Sequence, residues 1–124
     1  PISANIPPLK EGMYAAHTRG ANSYTIGVSL ACMALAKESP FDAGVAPMLK
    51  IQWTRLIEVC SQLATYYRIP VTPTTILSHA EVQANLGILQ RQKWDFTVLP
   101  FDNSVRGAKA VGDRMRSDIL RLMK

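Results

Sequence analysis

The chain is poor in the residues that build metal-dense or disulfide-stapled proteins: its 124 residues include two cysteines and two histidines. Cys32 and Cys60 match no zinc-ribbon or Cys-x-x-Cys spacing, which excludes a structural zinc knuckle and a thioredoxin-like motif. Both lie in apolar surroundings and read as buried free thiols; the sequence leaves a disulfide open. Aromatic residues are 7% of the chain, and no aromatic–basic motif accompanies its basic residues, so nucleic-acid binding is not expected. No apolar run approaches the roughly 18 residues of a membrane span. The longest, Ile26 to Ala36, is broken by Gly27 and Ser29, so membrane insertion is not expected. The chain opens on Pro1 without the basic and apolar regions of a signal peptide. The expectation is a processed chain or a piece of a longer one.

What is present is a folding composition, 48% hydrophobic and 19% charged. The net charge of +5 arises from 14 Lys+Arg against 9 Asp+Glu. Such a balance raises affinity for polyanions, the anionic bacterial envelope included, but the charge is spread along the chain as a solvated face. With no repeat and no linker, one α/β domain is the economical reading of residues 1–124, with a central mixed sheet flanked by helices.

Residues Ile2 to Ile6 read as an edge strand stopped by Pro7-Pro8. Tyr24 to Met33 is apolar almost throughout and reads as a buried central strand. Trp53, Leu56, Cys60, Leu63 and Tyr67 recur at spacings of three and four, predicting a helix near residues 48–68 that begins by Pro47 and stops at Pro70. Thr74 to Leu77 is β-branched enough for a short strand. Residues 78–103 have little periodicity and read as a long site-bearing loop with one helical turn. A last helix over 104–123 carries Val105, Ala108, Gly112, Met115, Ile119 and Leu122 on one stripe. Arg106, Lys109, Arg116 and Lys124 take its solvated face, and Asp102, Asn103 or Ser104 is placed to cap it.

Both histidines fall in irregular segments. His79 follows the short strand and is trailed by Lys93-Trp94-Asp95. A His, a downstream Asp and a third ligand close a zinc site with one open position, although the spacing alone is common.

The run Ala16-His17-Thr18-Arg19-Gly20-Ala21-Asn22-Ser23-Tyr24-Thr25-Ile26-Gly27-Val28 resembles the AHT-x-G-x-N-x-x-S-I-G-I run of peptidoglycan recognition proteins and type 2 N-acetylmuramoyl-L-alanine amidases. Tyr67-Arg68-Ile69-Pro70 resembles that family's Y-x-I-P turn. Leu77-Ser78-His79-Ala80-Glu81-Val82 resembles its G-H-x-D/E-V segment, and Lys93-Trp94-Asp95 the K-x-D of its bacterial and phage branch. The motifs keep the family's order and cover most of residues 14 to 97.

The resemblance implies zinc-dependent hydrolysis of the amide between N-acetylmuramic acid and L-alanine in peptidoglycan, at the bacterial cell envelope. His79 and Asp95 would be two of three zinc ligands, and Lys93 would donate to the oxyanion that forms on the carbonyl. His17, with Thr18 and Asn22, would line the substrate groove, Asn22 by holding its loop through backbone hydrogen bonds. The family's first zinc ligand has no counterpart here, because no histidine precedes His17; it is expected upstream of Pro1. Ser29 stands where the family carries a general-base Glu. Glu81 shares a face with His79 if the stretch is extended, but the family leaves that acid away from the metal. The chain as it stands is therefore expected to bind zinc poorly and cleave little. The alternative is a non-catalytic peptidoglycan-binding module that has lost a ligand.

Overall fold

The computed structural model describes residues 2–91 and 93–124. The fold mixes α and β: among the described residues there are three α-helices, α1 (Lys50–Tyr67), α2 (Val82–Leu86) and α3 (Ala108–Met123). One antiparallel pair joins β1 (Val98–Leu99) to β2 (Asp102–Arg106). Short 3-10 turns cover Ile2–Asn5 and His79–Glu81. No described helix is long and apolar enough to cross a membrane.

Helix α1 forms where the apolar period predicts. Gln52 folds back so that its Oε1 accepts from the Leu49 N–H at 2.9 Å, capping a helix start that has no Ser, Thr or Asp. At the other end Arg68 turns left-handed, and the Ile69 N–H closes on the Ala64 carbonyl at 2.9 Å before Pro70. The buried face is Trp53, Leu56, Ile57, Ser61 and Ala64. Leu63 and Cys60 are half-buried, and Tyr67, expected on that face, is exposed.

Helix α3 packs against α1 and buries Val111, Gly112, Met115, Arg116 and Ile119. It begins only after Gly107, whose φ of 94° most side chains avoid. Val105 therefore lies in β2 and still packs on the core. Asp102, expected as a cap, instead accepts the Ser104 amide and hydroxyl inside the hairpin, which holds its carboxyl below the usual range. Leu99 from β1 is fully enclosed by this core, and Phe96 and Phe101 set their rings 6.4 and 6.0 Å from that of Trp53. The Trp53 indole N–H donates to Asp118 Oδ2 at 2.9 Å, tying the start of α1 to α3.

Three expected strands do not form. A strand exists only through its partner's ladder, and these segments spend their hydrogen bonds elsewhere. Ile2–Asn5 winds into a 3-10 turn so that the buried Asn5 side chain can bond Ala15 through both its N–H and C=O, and also Thr25 O at 3.2 Å. Tyr24 and Met33 both take left-handed backbone, at φ 56° and 66°, which breaks an extended run at each end. The residues between them are held at Thr25 and Ala31 by the Asn5 and Gln52 side chains rather than by a ladder. Tyr24 and Val28, expected to be buried, are exposed. Thr74 to Leu77 lies in a turn where Thr72 O accepts both Thr75 and Ile76 N–H groups. Cys32 and Cys60 are free and half-buried, with burial raising both thiols.

Candidate functional site

The turn that carries His79 is anchored from beneath. Ser78 N–H donates to Glu81 Oε2 at 2.9 Å, and the Glu81 carboxylate is held by Arg116 through Nη2–Oε1 at 2.8 Å and Nη1–Oε2 at 3.1 Å. Both side chains are buried, 2% and 7% exposed. Arg116 also donates to Ile76 O at 3.0 Å and Asp113 Oδ1 at 2.9 Å. A Cβ on Gly112 would run into the Glu81 carboxylate. Glu81 is thus consumed by α3. The 3-10 turn separates it from His79, and the shared face expected of an extended stretch is absent. Arg116, expected on the solvated face of α3, is at the centre of this anchor. We expect Gly112→Ala to lose about 1–3 kcal/mol of stability through overpacking, read as a fall in unfolding midpoint.

Above this anchor the structure brings His79 and Asp95 together, with Nδ1 and Oδ2 3.5 Å apart. The other ring nitrogen, Nε2, meets Gln90 Oε1 at 3.0 Å. Gln90 is buried, and its own Nε2 donates to Arg19 O at 2.8 Å. A carbonyl can only accept, so the amide orientation is fixed and its oxygen faces the imidazole. With that bond made, a neutral ring carries its proton on Nε2 and presents Nδ1 to Asp95, while a protonated ring holds the Asp95 carboxylate as an ion pair. No spacing rule predicts Gln90 in this position.

That separation exceeds the hydrogen-bond range of about 2.7–3.2 Å. It is close to the roughly 3.4 Å between two ligand atoms on a tetrahedral zinc with bonds of about 2.1 Å. With the ring neutral, a positive centre between the two atoms would satisfy both, and an Nε2–H···Gln90 bond is the kind of outer contact that orients a ligating imidazole. The donor set fits a zinc ion as far as two ligands go. Among the described residues no third His, Cys, Asp or Glu completes the group. Lys93 is exposed, with no ion pair or side-chain hydrogen bond among the described residues.

The second part of the site is the loop around His17. Asn22 Oδ1 accepts the N–H groups of both His17 and Thr18 at 2.9 Å, so this side chain is spent on the backbone. Thr25 Oγ1 donates to the carbonyls of Ala21 and Asn22 and accepts from His17 Nε2 at 3.0 Å; Thr18 Oγ1 lies 3.0 Å from Nδ1. The His17 ring rests on Gly27, where a Cβ would approach ring atoms to 2.6–2.8 Å. His17, Thr18 and Asn22 line one open cavity of about 440 Å³, and the Gln90 bond to Arg19 O joins this loop to His79.

Burial pushes the His17 pKa down, a backbone hydrogen bond with Thr25 opposes that, and the positive potential of nearby His79 when protonated adds to the lowering. A folded-state pKa below the ordinary 6.5 means the unfolded chain takes up the proton first. This contribution to folding stability is therefore full above 6.5, begins to fall below that value and is lost as pH drops through the lower folded-state pKa. In an NMR titration we expect the His17 ring midpoint below 6.5, with lower amide protection factors at His17 and Thr18 on acidification once the slower intrinsic exchange is corrected for.

Comparison with known protein families, curated proteins and solved structures finds no match to this chain.

Proposed function

We propose that this chain contributes two metal ligands and a substrate groove to a zinc-dependent N-acetylmuramoyl-L-alanine amidase acting on peptidoglycan. The observation that carries this reading is the approach of His79 Nδ1 and Asp95 Oδ2 to 3.5 Å, close to the separation of two zinc ligands. His79 and Asp95 would hold the ion. When bound, zinc supplies a Lewis acid for the scissile carbonyl and an activated water. Gln90 keeps the imidazole in the ligating tautomer. His17, Thr18 and the cavity they line sit one hydrogen-bonded step away, at Arg19, where the muramyl peptide would lie. Lys93, two residues before Asp95, would donate to the developing oxyanion. The amidase-type fold belongs to this proposal as well, with one antiparallel pair among the described residues in place of the expected central mixed sheet.

The presence of only two converging ligands among the described residues favours a second reading, a peptidoglycan-binding module without catalysis. Incubating the chain with muramyl peptides in the presence of zinc separates the two: release of stem peptide supports the enzyme, and binding without release supports the module. Zinc affinity tests the site itself. It should be weak in the 124-residue chain and vanish in His79→Ala. In Gln90→Leu it should fall about 10–100-fold, the usual cost of removing an imidazole's outer partner. Unchanged affinity in all variants would overturn the site.

A further inference from the structure

The loop of residues 17–22 holds its backbone rigidly and leaves one charged side chain free. Asn22 fixes the amides of His17 and Thr18, and Ala21 N–H closes a turn on Thr18 O at 3.0 Å. Gly20, at φ 77°, fits so tightly that a Cβ would come within 2.8 Å of Ile88 Cγ2. The carbonyl of Arg19 is tied to Gln90. Arg19 therefore has a fixed main chain, yet among the described residues its guanidinium makes no ion pair or hydrogen bond. In contrast Arg55, Arg114, Arg116 and Arg121 each hold a carboxylate.

The surroundings give that free cation a direction of use. Tyr14, His17, Thr18, Arg19 and Asn22 are among the residues lining the 440 Å³ cavity, and none of the lining residues is acidic. Among the described lining residues Arg19 carries the only permanent charge. Gln90, which holds the Arg19 carbonyl, is followed in sequence by exposed Arg91, a further positive charge. A planar five-donor guanidinium on a rigid turn is suited to bidentate capture of a carboxylate.

We infer that the cavity beside His17 is a carboxylate subsite, with Arg19 as the residue that binds the anion. Resting on the peptidoglycan reading above, the inference places a free carboxylate of the stem peptide, within a residue or two of the scissile amide, on Arg19. It makes Arg19 a specificity-determining residue that distinguishes stems with a free second-residue α-carboxylate from those in which it is amidated.

The probes are two muramyl dipeptides, N-acetylmuramoyl-L-alanyl-D-glutamate and its D-isoglutamine counterpart, which differ in that carboxylate. They are titrated by calorimetry or NMR against the full chain, Arg19→Gln and Lys124→Gln, the last matching the loss of one charge at a distant position. The expected result is about five- to tenfold tighter binding of the free acid by the unmodified chain and by Lys124→Gln, the gain of one partly exposed charge-assisted pair. Arg19→Gln should bind the two peptides equally while keeping its amide spectrum elsewhere, and inorganic phosphate at similar concentration should not displace the free acid. Equal binding of both peptides by the unmodified chain overturns the Arg19 assignment alone. Displacement by phosphate overturns it too, in favour of a general anion site. Binding of neither peptide overturns both the assignment and the peptidoglycan reading.

Discussion

Replacing Arg116 by Met should destabilise the fold by about 3–5 kcal/mol, because it strands the Glu81 carboxylate in the interior without a counter-charge. Glu81 is 2% exposed, and Arg116 satisfies both of its oxygens. Glu81→Gln should cost less, since Arg116 keeps the Asp113 carboxylate and the Ile76 carbonyl. The double change Glu81→Leu with Arg116→Leu should recover part of the single Arg116 loss, because an apolar pair carries no desolvation cost. Denaturant unfolding of the three variants checks the set. A double variant no more stable than Arg116→Met would mean that the loss does not come from the stranded Glu81 charge. The same anchor supports the Ser78–Glu81 turn that presents His79. Folded Arg116→Met protein should therefore bind zinc less tightly than the unmodified chain.

Arg116 also illustrates why parts of this chain resist reading from sequence. On a helical wheel it falls among the charged residues of α3, and nothing local reveals a partner 35 positions away. The helices themselves are legible, because apolar residues at a 3.6-residue period report on one element and its own burial. Trp53, Leu56, Met115 and Ile119 face inward as that period requires. Strands are different: Tyr24 to Met33 has the composition of one, but composition cannot supply the neighbouring ladder. Left-handed turns at Tyr24 and Met33, which favour Gly or Asn and not these residues, leave no sequence mark. The pairing that does form, Val98 with Arg106 and Leu99 with Asp102, is too short for a period-2 pattern. In the site, the meeting of His79 and Asp95 was suggested by the family resemblance, not by periodicity. Gln90, which sets the imidazole's tautomer, carries no spacing signal at all.

Asp95→Ala and Lys93→Ala should separate metal holding from catalysis, although the two residues are neighbours in the loop. Asp95 Oδ2 lies 3.5 Å from His79 Nδ1, so on the proposed reading its removal takes away one of two ligands and should abolish zinc binding by this chain. Lys93 is exposed and outside any ion pair among the described residues, so its removal should leave zinc affinity unchanged. Turnover is another matter. If Lys93 donates to the oxyanion, its loss should lower stem-peptide release about 10²–10³-fold, the usual effect of deleting one such donor. That loss should appear in kcat rather than in KM, because the interaction strengthens only as charge develops on the carbonyl. Two ligands hold zinc less firmly than the three of a hydrolytic site. The measurement therefore compares the 124-residue chain with a longer version carrying an added upstream segment that supplies a histidine. Zinc content and stem-peptide release should both be low in the shorter chain and rise together in the longer one. Full zinc occupancy with brisk hydrolysis by the shorter chain would place a third ligand within these 124 residues, and a Lys93→Ala variant with undiminished kcat would remove Lys93 from the reaction.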